Sequence, residues 1–220
     1  MGYVIFDADL QGADAYVVAW DSGDEPLKQI FREGRRLHAE NAKTIFGSDE
    51  EPYYSLAKRG VHATNYGCKE RTLAISLGIT VAEAQRFQAA WFTAHPAIKA
   101  WHEKTMRDLY TTHSVRNAFG YRRYYFDRVD SILPEALAWI PQSTVACVTN
   151  RGLERMFREL PEYELLLQVH DSIVGQFPMA VAGDAVANIK RCMAVEVPYP
   201  DPLTIPVKMK LSRESWGACT

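Results

Sequence analysis

Acidic side chains stand at the ends of two predicted strands that are far apart in the sequence. Tyr3–Leu10 alternates like a half-buried strand and places Asp7 and Asp9 on one face near its end. Asp171 lies at the tip of a predicted hairpin between the strands ELLLQV and IVGQF. If the sheet brings these ends together, the carboxylates repel each other unless a cation bridges them, and Mg²⁺ accepts carboxylate and phosphate oxygens. The alternative is that Asp171 only forms a turn.

A cation, an imidazole and an aromatic ring follow one face of the predicted helix AKRGVHATNYG. Lys58, His62 and Tyr66 are spaced four residues apart, so they span about 12 Å along the helix. This arrangement suits a nucleotide laid along the helix, with the lysine on phosphate and the tyrosine against base or sugar. On spacing alone, an exposed polar stripe is the alternative.

Basic residues alternate with aromatic residues in the segment SVRNAFGYRRYYF. Guanidinium groups bind phosphates and aromatic rings stack on bases, so this segment could contact a nucleic-acid backbone. A solvated, charged hairpin explains the same pattern equally well. The residues concerned are Arg116, Tyr121, Arg122, Arg123, Tyr124 and Tyr125.

Strands are predicted at both ends of the chain, with a long helical stretch between them. A short helix is predicted over 13–20, and strong helix formers run through 27–109. The segment SVRNAFGYRRYYF has the period of two of an extended hairpin, and a helix resumes near Glu135. The last third predicts the hairpin, a helix over 179–195 and a final strand, IPVKMKL, with one solvated face. These elements predict an α+β fold, an antiparallel sheet carrying a large helical insertion.

Composition excludes several classes of protein. The 220 residues are 47% hydrophobic and 24% charged, which excludes a disordered or collagen-like chain. No apolar run is long enough for a membrane span, and the N-terminal YVIFDADL has two aspartates and no basic flank, unlike a signal peptide, so we expect a cytoplasmic protein without a membrane partner. The net charge of -2 argues against binding nucleic acid by bulk charge, although a local basic face fits within it. Four scattered cysteines predict neither a disulfide framework nor structural zinc.

Five segments in this order resemble family A DNA polymerases, the bacterial polymerase I and phage replicative type. DADLQGADAYVVAW, AKRGVHATNYG, FGYRRYYF, PQSTVA and LLLQVHDSIVGQF resemble motif A, motif B, the following basic segment, the glutamine region and motif C. The resemblance extends from Asp7 to about Trp216. It implies template-directed DNA synthesis in DNA replication, with palm segments at 1–21 and 111–220 and helical fingers at 22–110.

The resemblance implies that Asp9 and Asp171 are the catalytic residues and hold two Mg²⁺ ions. The backbone carbonyl of Leu10 is implied as a further metal ligand. The implied reaction is attack of a primer 3′-hydroxyl on the α-phosphate of a deoxynucleoside triphosphate. Asp7 is then a strand residue rather than a ligand.

The resemblance also implies a binding site for the incoming nucleotide. Lys58 and His38 match residues that bind the triphosphate. His62 stands where the family usually has Phe or Tyr against the sugar and base, and Tyr66 matches the tyrosine that closes over the nascent base pair. Asp14 stands where the family usually has a Glu that excludes a 2′-hydroxyl.

Four residues are implied to contact primer-template DNA. Gln142 resembles the reader of the minor groove, and His170 resembles the contact to the primer end. Arg122 and Arg123 are expected near the primer-template backbone.

Several positions depart from the family pattern. Tyr54 replaces the phosphate-binding arginine four residues before the motif B lysine, and Asp14 is one methylene shorter than glutamate. Ala138 stands where an Asn is expected, and Ser172 follows Asp171 where many cellular members have Glu. The HDS triplet also resembles single-subunit phage RNA polymerases. We favour DNA synthesis because a carboxylate at Asp14 would oppose a ribose hydroxyl.

Family members carry a thumb, more of the palm and often an exonuclease domain before motif A, whereas Met1 lies eight residues before Asp9. We therefore expect either a piece of a split or truncated polymerase or a chain that pairs with a separate thumb- or exonuclease-containing chain. A non-catalytic DNA- or partner-binding remnant and a metal-dependent nuclease remain open. A phage-encoded protein would act in the host cytoplasm.

Overall fold

The computed structural model describes residues 2–219, apart from the side chain of Asp130. The helices are α1 (Ala13–Ser22), α2 (Glu25–Arg32), α3 (Leu37–Phe46), α4 (Tyr53–Asn65), α5 (Glu70–Leu77), α6 (Val81–Ala94), α7 (Pro96–Thr112), α8 (Val129–Glu159) and α9 (Ala182–Met193). The strands are β1 (Tyr3–Leu10), β2 (Ser114–Arg116), β3 (Arg122–Tyr124), β4 (Glu164–Val169), β5 (Ser172–Pro178), β6 (Glu196–Val197), β7 (Leu203–Thr204) and β8 (Val207–Ser212). Helices and antiparallel sheets confirm the predicted α+β class.

Contacts between residues divide the chain into two compact units. The sheet unit consists of Met1–Asp14 and Gln142–Thr220, and the helical unit is Ala15–Pro141. The division falls inside α1 and α8, so most of α1 and residues 111–141 group with the helical unit. The sequence-based division placed both with the palm. The assignment of these parts to palm and fingers stays a prediction.

The sheet unit is built on a four-stranded antiparallel sheet with the strand order β4-β5-β1-β8. β1 pairs with β5 on one side and with β8 on the other, and α9 packs against all three strands. Because side chains alternate along a strand, Val4, Phe6, Ala8 and Leu10 are all buried on one face of β1. The opposite face of β1 carries Tyr3, Ile5, Asp7 and Asp9.

The two edge strands of this sheet are less buried than its two central strands. In β8, Leu211 is 39% exposed, and Val207 and Met209 are half-buried. An edge strand has a neighbour on one side only, so the side chains of β8 are less covered than those of β1. β4 forms the other edge, with a register shift between Leu165 and Leu167 where it pairs with β5.

The helical stretch predicted over 27–109 is divided into α2–α7. α3 and α5 end at Gly47 and Gly78, whose left-handed φ angles of 77° and 69° favour glycine and stop the helix. α6 begins with a capping box between Thr80 and Glu83. Pro96 begins α7, as the sequence predicts, because the first turn of a helix tolerates a missing N–H.

Buried polar contacts hold these helices together. Asp24 is 1% exposed, accepts a hydrogen bond from the Leu27 backbone N–H at 2.9 Å, and lies 2.9 Å from Nδ1 of His95. This carboxylate therefore joins the start of α2 to the junction between α6 and α7. In the same unit, the indole N–H of Trp101 donates to Asp21 at 2.7 Å.

α8 begins earlier than the sequence indicates. It starts at Val129, ahead of the predicted start near Glu135, and contains Pro134 and Pro141. Each proline removes one N–H from the helix, which explains why the sequence favours a later start. Likewise, the helix predicted over 179–195 contains α9 after a short 3₁₀ turn.

The extended hairpin predicted in SVRNAFGYRRYYF is present as the antiparallel pair β2–β3, with Ser114 opposite Tyr124.

In the described part of the chain, no helix is long and apolar enough to cross a membrane.

A methyl group at Gly175 should destabilise the sheet unit. An added Cβ would lie 2.6 Å from Cζ of Phe6 and 2.7 Å from the backbone oxygen of Glu164. Because Phe6 is fully buried, we expect Gly175→Ala to lower the free energy of unfolding by about 1–3 kcal/mol in urea denaturation. Gly183→Ala in α9 is the control, since a Cβ there meets nothing within 4 Å. Equal stability of the two variants would contradict this packing.

Candidate active site

Two carboxylates meet at one end of the sheet. Asp9 is the second-last residue of β1 and pairs with Ser172, the first residue of β5. Asp171 lies in the turn between β4 and β5, where its backbone carbonyl accepts a hydrogen bond from the Leu10 N–H at 3.2 Å. The structure therefore brings Asp9 and Asp171 together from opposite ends of the sequence.

The electrostatics of this end of the sheet disfavour negative charge on Asp9. Burial raises the pKa of this carboxyl, and the charges of Asp171 and Asp7 raise it further. Lys210 and Lys208 on β8 act in the opposite direction but more weakly. A divalent cation would relieve this repulsion, and hard carboxylate oxygens suit such an ion. The side chains of Asp9 and Asp171 therefore fit a metal site.

The described residues hold no larger metal-binding cluster. No group of three or more His, Cys, Asp or Glu side chains gathers there as a metal site. Further ligands at the carboxylate pair would therefore come from backbone oxygens, water or a bound phosphate, as is usual for Mg²⁺.

Asp7 shares a face of β1 with Asp9 but has its own contact. One of its carboxylate oxygens accepts a hydrogen bond from the indole N–H of Trp216 at 2.9 Å, and the other is buried without a hydrogen-bond partner. The Trp216 contact gives no signal in the sequence because 209 residues separate the pair. The lysines Lys208 and Lys210 were visible as alternating residues of the last strand but were not recognised as neighbours of the carboxylates.

Three other predicted residues lie in the sheet unit. His170 is exposed at the hairpin tip, has a left-handed φ of 58°, and places Nδ1 3.5 Å from a carboxylate oxygen of Asp171. Gln142 is exposed on α8, and Asp14 is half-buried in the first turn of α1. His170 is thus adjacent to the carboxylate pair.

The helical unit holds four of the five predicted nucleotide-binding residues, on α3, on α4 and at the residue that follows α4, whereas Asp14 lies in the sheet unit. Lys58 and His62 are exposed, and the ring centroids of His62 and Tyr66 are 4.5 Å apart. The opposite face of α4 is buried, and Gly60 lies so close to Phe87 that a Cβ there would be 2.5 Å from the ring. With this face packed against α6, the opposite face of α4, which carries Lys58 and His62, is exposed to solvent.

His38 on α3 is held in its neutral form. Burial is the main cause that lowers its pKa to about 4, and the charges of Lys58 and His62 lower it further. Its Nδ1 is buried without a hydrogen-bond partner. At neutral pH this imidazole can therefore donate or accept a hydrogen bond but adds no positive charge.

The turn that carries Tyr66 is fixed by its neighbour Asn65. The indole N–H of the buried Trp91 donates to the Asn65 side chain at 2.9 Å. Nε2 of His102 donates to the Asn65 backbone oxygen at 2.8 Å, and burial lowers the pKa of this imidazole. α6 and α7 thus hold the end of α4 at the residue before Tyr66.

The two predicted DNA-contacting arginines differ in their partners. Arg122 is exposed and donates to the Tyr124 hydroxyl at 2.9 Å. Arg123 is paired with Glu135, and its guanidinium lies 5.0 Å from the ring centroid of Tyr125. The Glu135 pair was missed, because no local pattern links β3 to α8.

Comparison with known proteins identifies a family. The sequence model of DNA polymerase family A matches residues 1–218. The chain is 34% identical over 219 residues to the thermostable DNA polymerase I of Thermus filiformis, covering 94% of this chain and 26% of that protein. It is 33% identical to the thermostable DNA polymerase I of Thermus aquaticus, with 98% and 27% covered. Against the DNA polymerase of Mycobacterium phage D29, identity is 29%, with 99% and 35% covered.

A solved structure has the same fold. The POL domain of Pol1 from M. smegmatis, in complex with DNA primer-template and dNTP, aligns with a TM-score of 0.87 at 22% identity. The alignment covers 99% of this chain and 41% of that chain. The chain spans about a quarter of the length of the Thermus relatives.

Removing the charge of Asp9 should stabilise the fold at neutral pH. An acid with a raised pKa binds its proton more tightly in the folded chain, so its contribution to stability falls as the pH rises past 3.8. With EDTA present, we expect Asp9→Asn to raise the free energy of unfolding at pH 7, by less than about 1 kcal/mol because the group is solvent-screened. The gain should vanish near pH 3. Glu162→Gln, at an exposed position, is the control, and a loss of stability in Asp9→Asn would contradict the repulsion.

The imidazole of His38 should titrate near pH 4 in NMR spectra. Because its pKa is lowered, the folded chain holds this proton less tightly than the unfolded chain, and acidification from pH 6.5 towards 4 should destabilise the fold. Lys58→Ala should raise the pKa of His38 only part of the way towards 6.5, since burial is the larger cause of the lowering. Lys43→Ala, which removes an exposed lysine paired with Asp49, should leave it unchanged. A His38 pKa near 6.5 would contradict the burial of the ring.

Proposed function

Because the chain belongs to DNA polymerase family A, we propose that it forms the part of a template-directed DNA polymerase that adds deoxynucleotides to a primer 3′-hydroxyl in replication. The observation that carries this proposal is the meeting of Asp9 and Asp171 at one end of the sheet. Phosphoryl transfer depends mainly on positioning of the reacting groups and on electrostatic stabilisation, with little covalent chemistry by the protein. Paired carboxylates can bind the metal ions that provide both.

Family A polymerases generally use divalent metal ions, and we assign Mg²⁺ to this chain. The carboxylates of Asp9 and Asp171, with the backbone carbonyl of Leu10, would hold two such ions. When bound, they supply a lower pKa for the attacking hydroxyl and charge neutralisation for the phosphates. The repulsion between the two carboxylates in the free chain supports this assignment.

The polar face of α3 and α4 would bind the incoming deoxynucleoside triphosphate. Lys58 supplies a positive charge to the phosphates, and His38 supplies a neutral hydrogen-bonding group beside it. The paired rings of His62 and Tyr66 are placed to contact the sugar and base. Asp14 would oppose a ribose 2′-hydroxyl and so favour deoxynucleotides.

Exposed polar residues of both units would contact primer-template DNA. Arg122 presents its guanidinium to solvent and would bind a phosphate. Gln142 would read the minor groove, and His170 would contact the primer end. Arg123 would bind a phosphate only by sharing or exchanging its contact with Glu135.

The alternative of a non-catalytic remnant is not favoured, because the family match extends over residues 1–218. We propose that full activity requires the remaining parts of a polymerase domain, including a thumb, either in the same polypeptide or in a separate chain. We also propose that the protein acts in the cytoplasm, which is the host cytoplasm if a phage encodes it.

Primer extension tests the proposed function directly. The chain is assayed alone and with a supplied thumb-containing partner, and Asp9→Asn and Asp171→Asn should each lower the incorporation rate at least about hundredfold. EDTA should abolish incorporation and added Mg²⁺ should restore it.

Asp7→Asn is the matched control, since it is the same substitution on the same face of β1 and keeps an acceptor for Trp216. It should retain most of the activity. Absence of metal-dependent incorporation in both assays would reject the proposal, and degradation of labelled DNA without nucleotides would indicate the nuclease instead.

A further inference from the structure

Arg36, at the start of α3, lies against the ring of Tyr54 on α4. The guanidinium carbon of Arg36 is 5.4 Å from the centroid of this ring. The His38 ring meets the Tyr54 ring almost at a right angle, with 6.0 Å between centroids. His38 is also close enough to Lys58 for the lysine charge to lower the imidazole pKa. We call these four residues, Arg36, His38, Tyr54 and Lys58, the α3–α4 cluster.

The positive charges of the α3–α4 cluster lie on Arg36 and Lys58. In the part of the chain that the structure describes, neither Arg36 nor Lys58 has a carboxylate within ion-pair distance, and both are exposed. The neighbouring Arg35 differs, because it is paired with Glu33 and Glu40, each at 2.7 Å. Arg36 is therefore available for an external anion, whereas Arg35 is neutralised.

We propose that Arg36 is a binding residue for the triphosphate of the incoming nucleotide, which deepens the proposed function and rests on it. Tyr54 stands at the position where the sequence departs from a phosphate-binding arginine, and its ring carries no charge. Stacking on this ring limits the freedom of the guanidinium beside Lys58, so less entropy is lost when it binds. A planar guanidinium can form paired hydrogen bonds to phosphate oxygens. In this proposal Arg36, the residue just before α3, supplies the positive charge that Tyr54 lacks.

Isothermal titration of the full chain with a deoxynucleoside triphosphate, and separately with inorganic tripolyphosphate, tests this proposal. Arg36→Ala should weaken both affinities about tenfold. Arg35→Ala is the matched control and should change them less than about twofold. The Arg36 side chain makes no capping hydrogen bond to α3, so its removal leaves the helix start intact, which urea denaturation can verify.

Moving the guanidinium back to α4 provides a second test. In the double variant Arg36→Ala with Tyr54→Arg, we expect both affinities to return to within about threefold of the unsubstituted chain. Arg36→Lys should recover only part of the loss, because an ammonium group is a point charge without the planar fork.

The outcomes separate this inference from the proposed function. Unchanged affinity in Arg36→Ala, an equal loss in Arg35→Ala, or no triphosphate binding by the unsubstituted chain would overturn the role of Arg36. If the predicted affinities are found but no primer is extended, the polymerase activity fails while the triphosphate site stands. If primer is extended but Arg36→Ala leaves the affinities unchanged, the proposed polymerase activity stands and the role of Arg36 fails.

Discussion

The antiparallel pairing of β1 with β5 is the constraint on which the carboxylate site depends. The pairing of Asp9 with Ser172 is maintained by Phe6, whose ring packs where Gly175 leaves room. A shift of one residue would turn Asp9 towards the buried face and remove it from Asp171. The apolar core of the sheet unit therefore stabilises an arrangement that its own charges oppose.

In the helical unit, hydrogen bonds to Asn65 rather than apolar strand packing fix the position of the end of α4. The end of α4 is held by contacts that do not involve the ring of the next residue, Tyr66, which is proposed to contact the nucleotide. Hydrogen bonds from Trp91 and His102 do this at Asn65, one residue before Tyr66. Trp91 is buried and His102 is half-buried, so loss of either donor would leave an acceptor of Asn65 unpaired at a free-energy cost that opposes displacement of the turn.

The strands of the carboxylate site were predictable because alternation and turn chemistry are local. Contacts between distant segments were not, as Trp216 with Asp7 and Arg123 with Glu135 show. The early start of α8 was missed because proline favours a helix start in isolation, whereas the surrounding fold tolerates Pro134 inside the helix. Helix and strand propensity and hydrophobic periodicity thus predict the secondary-structure elements. The contact partners and the exposure of individual side chains depend on tertiary packing.

The near-neutral net charge conceals a strong local separation of charge. Three carboxylates share one end of the sheet, whereas the two cations of the α3–α4 cluster have no acidic partner among the residues that the structure describes. In the proposed function, the divalent ions would use the carboxylates and the phosphate oxygens would use the cations. Since His38 is neutral at physiological pH, the positive side depends on Lys58 and on whichever residue supplies a guanidinium. The total charge of the chain is therefore a poor guide to the charge at either of these places.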